Sequence, residues 1–166
     1  FIQPLLYGMC DSLQPAVGYN WGAGKFSRVR AIEKCCFVAS GIISLLAVVV
    51  LALFPEQITV LFMADSGKEV MTLAVGALQL FSLTYITRWF SFAMQSYMLA
   101  IEKPLFASII SVSTALIFPV LLVVILWPLG LTGIWLNFAG TAALAAVLSL
   151  AILLKLRREL LKPDLQ

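Results

Sequence analysis

The chain has 166 residues, of which 62% are apolar and 11% are charged, with a net charge of +3 and a mean hydropathy of +1.04. Soluble domains are far less apolar and disordered chains are far more polar, so the composition excludes both classes and indicates a membrane protein. Three cysteines without a CxxC pair, in a chain that has no histidine, argue against a zinc site or a disulfide scaffold.

Charged residues mark the ends of the predicted membrane spans, because each costs a few kcal/mol at the bilayer centre. A span takes about 20 residues, so the length admits four or five spans and no separate soluble domain. The first residue, Phe1, continues an apolar segment, and we therefore expect a piece of a longer chain. The predicted fold is all-α, a polytopic transmembrane helix bundle with the end of one helix and four full spans.

The predicted segments follow one another with short connections. In chain order they are the end of a transmembrane helix and a turn (1–24), a basic cytoplasmic connection (25–34), a transmembrane helix (35–55), an extracytoplasmic loop (56–69), three further transmembrane helices (70–101, 105–126 and 131–154) and a cytoplasmic tail (155–166). Residues 127–130, Trp-Pro-Leu-Gly, separate the last two spans.

The positions of Lys and Arg predict the orientation. If the spans alternate, nine of these 11 residues lie on one side, Lys68 lies on the other side, and Arg88 lies inside a span. The positive-inside rule then predicts a multi-pass protein of the cell (inner) membrane with a cytoplasmic C-terminus.

Asp11 is the carboxylate that we expect at membrane depth, and Tyr7 and Gln14 share its helical face. An ionisable group within a membrane is a functional candidate by default. We predict that Asp11 binds a proton, Na⁺ or a cationic substrate, with Gln14 or Tyr19 supplying neutral oxygens. The alternative is an interfacial or statically paired carboxylate.

Arg88 is the second ion within a predicted span, too deep to reach water easily. One interpretation pairs it with Asp11, so that breaking the pair couples ion binding to helix movement. A static pair with another part of the protein is the other interpretation. Gln95 and Asn137 are either substrate ligands or interhelical hydrogen-bonding groups, the second being more common. Trp89, Phe90 and Phe92, which flank Arg88, offer aromatic faces to a cationic compound or to lipid.

Small and polar residues recur every four positions on the last predicted span, which indicates a ridge for close helix packing. These residues are Gly133, Asn137, Thr141, Ala145 and Ser149. Pro119 lies in the middle of the preceding span and predicts a bend there.

Three short strings carry a family resemblance. Residues 14–24 read QPAVGYNWGAG and are followed by Lys25, Arg28 and Arg30. They resemble the QP-x-x-G-Y-N-x-G-A signature of the multidrug and toxic compound extrusion (MATE) family of transporters. Residues 100–104, AIEKP, resemble the loop after the tenth helix of that family, and residues 129–135, LGLTGIW, resemble the start of its last helix.

The resemblance implies a MATE-type C-terminal lobe, with the end of helix eight and helices nine to twelve. It also implies a partner lobe, the N-terminal one, and exchange of amphipathic or cationic organic compounds for H⁺ or Na⁺ without a cofactor. Relatives often have a glycine where this chain has Glu102, and a Pro and an Asp where it has Ala139 and Ala142. No acidic role can therefore be assigned to the last helix.

The signature also has a physical interpretation of its own. Pro15 bends the end of a helix, while Gly18, Gly22, Ala23 and Gly24 permit close approach and a tight turn. We take these residues, together with Asn20 and Pro119, as structural.

Two other functions are compatible with the sequence. One is a lipid-linked sugar flippase of the same wider superfamily, and the other is an intramembrane enzyme or a non-transporting membrane subunit. No catalytic motif or carboxylate pair is present, so we do not expect an enzyme. The basic residues lie at span ends, which indicates contact with membrane lipids and not with nucleic acid.

Overall fold

A computed structural model describes residues 2–63 and 67–160, which form helices joined by short turns, with no strand among them. In chain order the helices are α1 (Ile2–Gly22), α2 (Phe26–Leu53), α3 (Pro55–Met63), α4 (Lys68–Ser82), α5 (Thr84–Ala100), α6 (Pro104–Val112), α7 (Phe118–Leu126) and α8 (Gly130–Leu160). A π-turn (Ser113–Ile117) joins α6 to α7, and a 3₁₀ turn (Trp127–Leu129) joins α7 to α8.

The described helices contain two stretches that are long and apolar enough to cross a membrane, Phe26–Leu53 and Pro104–Arg157, and α4 with α5 makes a third if this bent pair is one span. The second stretch folds back on itself at the 3₁₀ turn. The Asn137 side chain on one arm donates to the Pro119 carbonyl on the other arm at 3.0 Å, so the arms are antiparallel. The chain is therefore an all-helical membrane bundle, as predicted.

The helix boundaries differ from the predicted segments at the basic connection. Residues 26–34 are the first turns of α2 and do not form a loop. Lys, Arg and Glu are good helix formers, so a cluster of charges can mark the end of an apolar stretch without ending the helix. In the same way, α3 occupies the beginning of the predicted loop 56–69, of which residues 64–66 lie outside the described residues.

The predicted span 70–101 is broken at Leu83, where α4 and α5 meet at 44°. The buried Ser82 hydroxyl donates to the Gln79 carbonyl at 2.7 Å. Serine hydroxyls that bond back to the preceding turn compete with the backbone ladder and bend helices.

A π-turn directly precedes Pro119, where the sequence predicts a bend. Proline has no N–H and would clash in the interior of a regular helix. The wider π-turn ends at Ile117, and Pro119 follows it within two residues of an otherwise helical backbone.

Helix α5 is the centre of the bundle and contacts α1, α2, α4, α6 and α8. Its Ala93, Met94 and Met98 are fully buried. The predicted ridge on α8 is buried along its whole length, from Gly133 to Ser149. Large apolar side chains on α2, α7 and α8 face outward, as in helices that contact lipid or further membrane helices.

Candidate functional site

Polar and aromatic side chains of α1 and α5 meet on one face of the bundle, which we call the open face. It consists of Tyr7, Asp11 and Gln14 on α1 and of Arg88, Phe92 and Ser96 on α5. The two helices run parallel: the Tyr7 ring stacks on Phe92 with centroids 4.1 Å apart, and one turn further along each helix Asp11 meets Ser96. Spacings of three and four residues place these groups on one side of each helix.

Helix α1 approaches the backbone of α5 at Gly18, with room for a Cβ at ordinary contact distance. A Cβ at Gly18 would lie 3.6 Å from the carbonyl oxygen of Ala100, in direct contact with the α5 backbone. The predicted close approach thus occurs at Gly18. It does not occur at Gly22, where a Cβ would meet no atom of the described residues.

Only one of the two carboxylate oxygens of Asp11 forms hydrogen bonds within the described residues. Its Oδ1 accepts from the Ser96 hydroxyl at 2.8 Å and from the Gln14 amide at 3.1 Å. Within the described residues, Oδ2 has no hydrogen-bond donor, and no cationic group lies within salt-bridge distance of Asp11. The Asp11 side chain is exposed. The carboxylate is therefore oriented by two neutral groups and keeps the capacity to bind a cation or a proton.

Arg88 does not pair with Asp11, so that prediction is wrong for this conformation. Its guanidinium lies over the Phe92 ring at 5.1 Å, and its buried Nε has no hydrogen-bond partner within the described residues. Arg88 lies two turns before Ser96, the residue that contacts Asp11, which is about 12 Å along a helix axis. Phe92 occupies the turn between them.

Two of the other predicted ligands do not join Asp11. Tyr19 lies two turns further along α1, is 73% exposed, and has the Lys25 ammonium 6.0 Å from its ring. Gln95 is half-buried on α5 beside Ser96 in the sequence and makes no hydrogen bond within the described residues.

Asn137 belongs to a separate cluster, the hairpin seam, which consists of Pro119, Asn137 and Thr141. Asn137 donates to the Pro119 carbonyl at 3.0 Å and accepts from the Thr141 hydroxyl at 3.0 Å. Both partners of the Asn137 side chain belong to the hairpin of α7 and α8. The amide of Asn137 is thus committed to helix packing, which was the more common of the two interpretations.

The signature string forms the end of α1. Pro15 lies inside the helix, the Asn20 amide donates to the Ala16 carbonyl at 2.8 Å, and the backbone N–H of Lys25 donates to the Asn20 carbonyl at 2.9 Å. Gly24 adopts a φ of +68°, the left-handed conformation that closes a helix end at little cost for glycine. Ala23 lies exposed beside it. These residues shape the turn and are not ligands of Asp11.

Two features were missed by the sequence analysis. Ser96 follows Arg88 and Phe92 at intervals of four residues, so the helical period could have placed it on the same face. Glu33, buried to 5% exposure, forms an ion pair with Arg157 at 3.5 Å that joins α2 to α8. A single acid among the basic residues at the start of α2 was the only available signal for this pair.

Among the described residues, no group of three or more His, Cys, Asp or Glu side chains could hold a metal ion.

Comparison with known proteins gives one family and one solved structure. The model of the MatE family matches residues 1–125. The fold is similar to a solved structure described as the inward-facing conformation of a multidrug resistance MATE family transporter of the MOP superfamily, with a TM-score of 0.85 and 19% identity. The match covers 97% of this chain, and the chain spans 37% of that transporter's length. No curated protein matches the sequence.

Proposed function

Because the chain belongs to the MATE family of membrane transporters, we propose that it forms the C-terminal lobe of a secondary exporter that exchanges amphipathic or cationic organic compounds for H⁺ or Na⁺ by alternating access. The whole transporter would comprise this lobe and an N-terminal lobe, in the inner membrane with the basic end of the bundle in the cytoplasm.

This proposal rests on the carboxylate of Asp11, of which only one oxygen accepts hydrogen bonds. Ser96 and Gln14 hold Oδ1 and leave Oδ2 exposed on the open face. One free oxygen can bind a proton, Na⁺ or an organic cation, but not two of them together. Mutual exclusion at one carboxylate is the minimum that an exchanger needs, because arrival of the coupling ion then displaces the substrate.

The aromatic groups of the open face support a cationic, partly apolar substrate. Tyr7 stacks on Phe92 and is 41% exposed, one turn from Asp11. A cation with an apolar body would bind its charge at Asp11 and place its body against these rings. Among the residues that the structure describes, nothing favours the flippase or the membrane enzyme over the exporter.

The open face also indicates where the partner lobe would lie. A charged face in a membrane helix bundle normally meets protein or a water-filled cavity, and not lipid. We therefore infer that the N-terminal lobe of the full-length transporter covers the open face, so that Asp11 lines the cavity between the lobes.

Dye accumulation in efflux-deficient cells tests the function. Cells that express the full-length protein would be compared with cells that express Asp11→Asn, and the proton and sodium gradients would be collapsed separately. We expect wild type to lower accumulation of a cationic dye, and we expect this effect to vanish with one gradient and with Asp11→Asn. Glu56→Gln is the matched control, since it removes an exposed carboxylate of α3, outside the open face.

Equal accumulation in cells with and without the wild-type protein, across cationic dyes, would contradict the exporter and favour the flippase. A loss of efflux in Glu56→Gln as large as in Asp11→Asn would contradict the role given to Asp11.

A further inference from the structure

A groove of about 800 Å³ lies between α2, α5 and α8, and we call it the basic groove. It shares no residue with the open face. Phe37, Trp89 and Tyr97 line it, and Trp89 packs against Gly41, where a Cβ would lie 3.3 Å from the indole. Leu153 and Leu156 of α8 form the opposite wall.

The two ends of the basic groove differ in charge. Arg30, Lys34 and Arg157 line one end together with Glu33, whereas Val38, Ile42 and Leu45 continue it as an apolar channel. Glu33 is buried and already paired with Arg157. Arg30 and Lys34 are exposed and form no ion pair within the described residues, so this end carries two uncompensated positive charges.

The length of the apolar channel matches one leaflet of a bilayer. From Lys34 to Leu45 the helix rises about 16 Å. Half of the hydrocarbon core is about 15 Å thick. The charged end coincides with the start of the apolar span Phe26–Leu53, which is the level of lipid headgroups.

From this arrangement we infer that the basic groove binds an anionic phospholipid. The phosphate group lies between Arg30 and Lys34, and one acyl chain lies along Val38 and Ile42 against Trp89. Basic pockets between membrane helices are suited to anionic headgroups, and the volume falls within the range of about 300–1,000 Å³ that ligand sites have. Charge complementarity at one end and apolar complementarity along the rest select a lipid in preference to a soluble anion.

Native mass spectrometry of the full-length protein tests this site, with phosphatidylglycerol, phosphatidylcholine and inorganic phosphate as separate probes. We expect wild type to retain phosphatidylglycerol at least tenfold better than phosphatidylcholine. The double variant Arg30→Gln with Lys34→Gln should retain both lipids equally. The double variant Lys25→Gln with Arg28→Gln is the control, because it removes the same charge from exposed residues that do not line the groove.

A second pair of variants tests the apolar channel. Ile42→Trp fills it and should abolish retention, whereas Leu46→Trp adds the same bulk to an exposed position of α2 outside the groove and should not. A melting temperature equal to that of wild type would show that both variants fold.

Three results would overturn the inference. Equal losses in the two double variants would show a general effect of surface charge. Displacement of the lipid by equimolar phosphate would show a site for a free anion. Absence of bound lipid from every form of the protein would show that the groove is not a lipid site in the full-length chain.

Discussion

The open face and the hairpin seam both place polar side chains inside membrane helices, but they differ in how far those groups are satisfied. In the hairpin seam, Asn137 and Thr141 are at most 8% exposed. The Asn137 amide donates to the Pro119 carbonyl and accepts from the Thr141 hydroxyl. On the open face, Asp11 keeps one free oxygen, and the Nε of Arg88 has no partner among the described residues.

This difference shows what distinguishes a candidate site from packing in a membrane protein. Polar groups in spans stabilise helix contacts when their hydrogen bonds are complete. A group that is oriented by some of its partners and left open on one side retains its binding capacity. The seam is of the first kind and the open face is of the second.

The largest expected effect is that of Asp11→Asn, which separates function from stability. The amide oxygen of Asn still accepts from Ser96 and Gln14, so we expect the melting temperature to stay close to that of wild type. Efflux should fall to the level of cells without the transporter, because the neutral amide takes up no proton and lacks the negative charge that attracts a cation. Thermal melting and dye efflux of the full-length protein check the two halves of this prediction. Loss of folded protein in step with loss of efflux would make Asp11 a packing residue like those of the seam.

Arg88→Gln should have the next largest effect, and in the opposite direction. Arg88 lies two helical turns from Ser96, the contact of Asp11, and two unit charges about 12 Å apart repel by roughly 1 kcal/mol at an effective dielectric of 20. We expect the KM for a cationic dye to fall by up to about tenfold while the KM for a neutral dye is unchanged. Arg88→Lys keeps the charge and serves as the control. Equal changes for both dyes would contradict this electrostatic role.

Asn137→Ala should act on stability alone. It leaves the Pro119 carbonyl and the Thr141 hydroxyl without their partner, and interhelical hydrogen bonds in membranes contribute about 0.6 to 2 kcal/mol each. We expect a lower melting temperature and unchanged efflux per folded molecule. Gln95→Ala is the matched control, because this amide makes no hydrogen bond within the described residues and should cost less. A change of dye specificity in Asn137→Ala would move Asn137 to the substrate site.

The smallest effect on function is expected at Glu102, which belongs neither to the open face nor to the hairpin seam. A substitution there should change stability only. Glu102 ends α5 with a φ of +60°, where a residue with a Cβ is strained by about 1 kcal/mol. Glu102→Gly should therefore raise the free energy of unfolding by about 1 kcal/mol without a change in efflux. Gly24→Ala should have the reverse sign, since Gly24 has a φ of +68° and open space at Cβ. A Glu102→Gly protein no more stable than wild type would contradict the strain.

The left-handed conformation of Glu102 shows that glycine would be the less strained residue at this position. The resemblance had placed a glycine at this position in many relatives, and the backbone conformation is the one that glycine adopts most easily. The resemblance therefore gave the residue type that is usual at this position, but the positive φ of Glu102 could not be predicted from the sequence.

The sequence could predict the parts of the fold that hydropathy and helical period determine. It predicted the all-helical fold, the turn at 127–130 and the buried ridge from Gly133 to Ser149, because apolar length and a period of four are local signals. It could not place the break at Leu83, since the back-bond of Ser82 to the Gln79 carbonyl is of a kind that also occurs in unbroken helices, as at Ser40 in α2.

The candidate site was predictable only in part. A carboxylate at membrane depth singled out Asp11, and the helical face of α1 correctly brought Gln14 to it. Which residue of α5 would face Asp11 depended on the register between two helices, which no local pattern encodes. Hence the sequence suggested Arg88 as the partner, and the structure has Ser96 there.

The central claim is that exchange takes place on the open face and not at the hairpin seam. Ion release on substrate binding is its most direct test. Purified full-length protein in weak buffer would be mixed with a cationic substrate, with proton release followed by an indicator dye and the substrate Kd measured with and without Na⁺. We predict that wild type and Asn137→Ala release a proton or lose affinity in Na⁺, and that Asp11→Asn does neither. Release that persists in Asp11→Asn, or that is lost in folded Asn137→Ala, would contradict the assignment of exchange to Asp11.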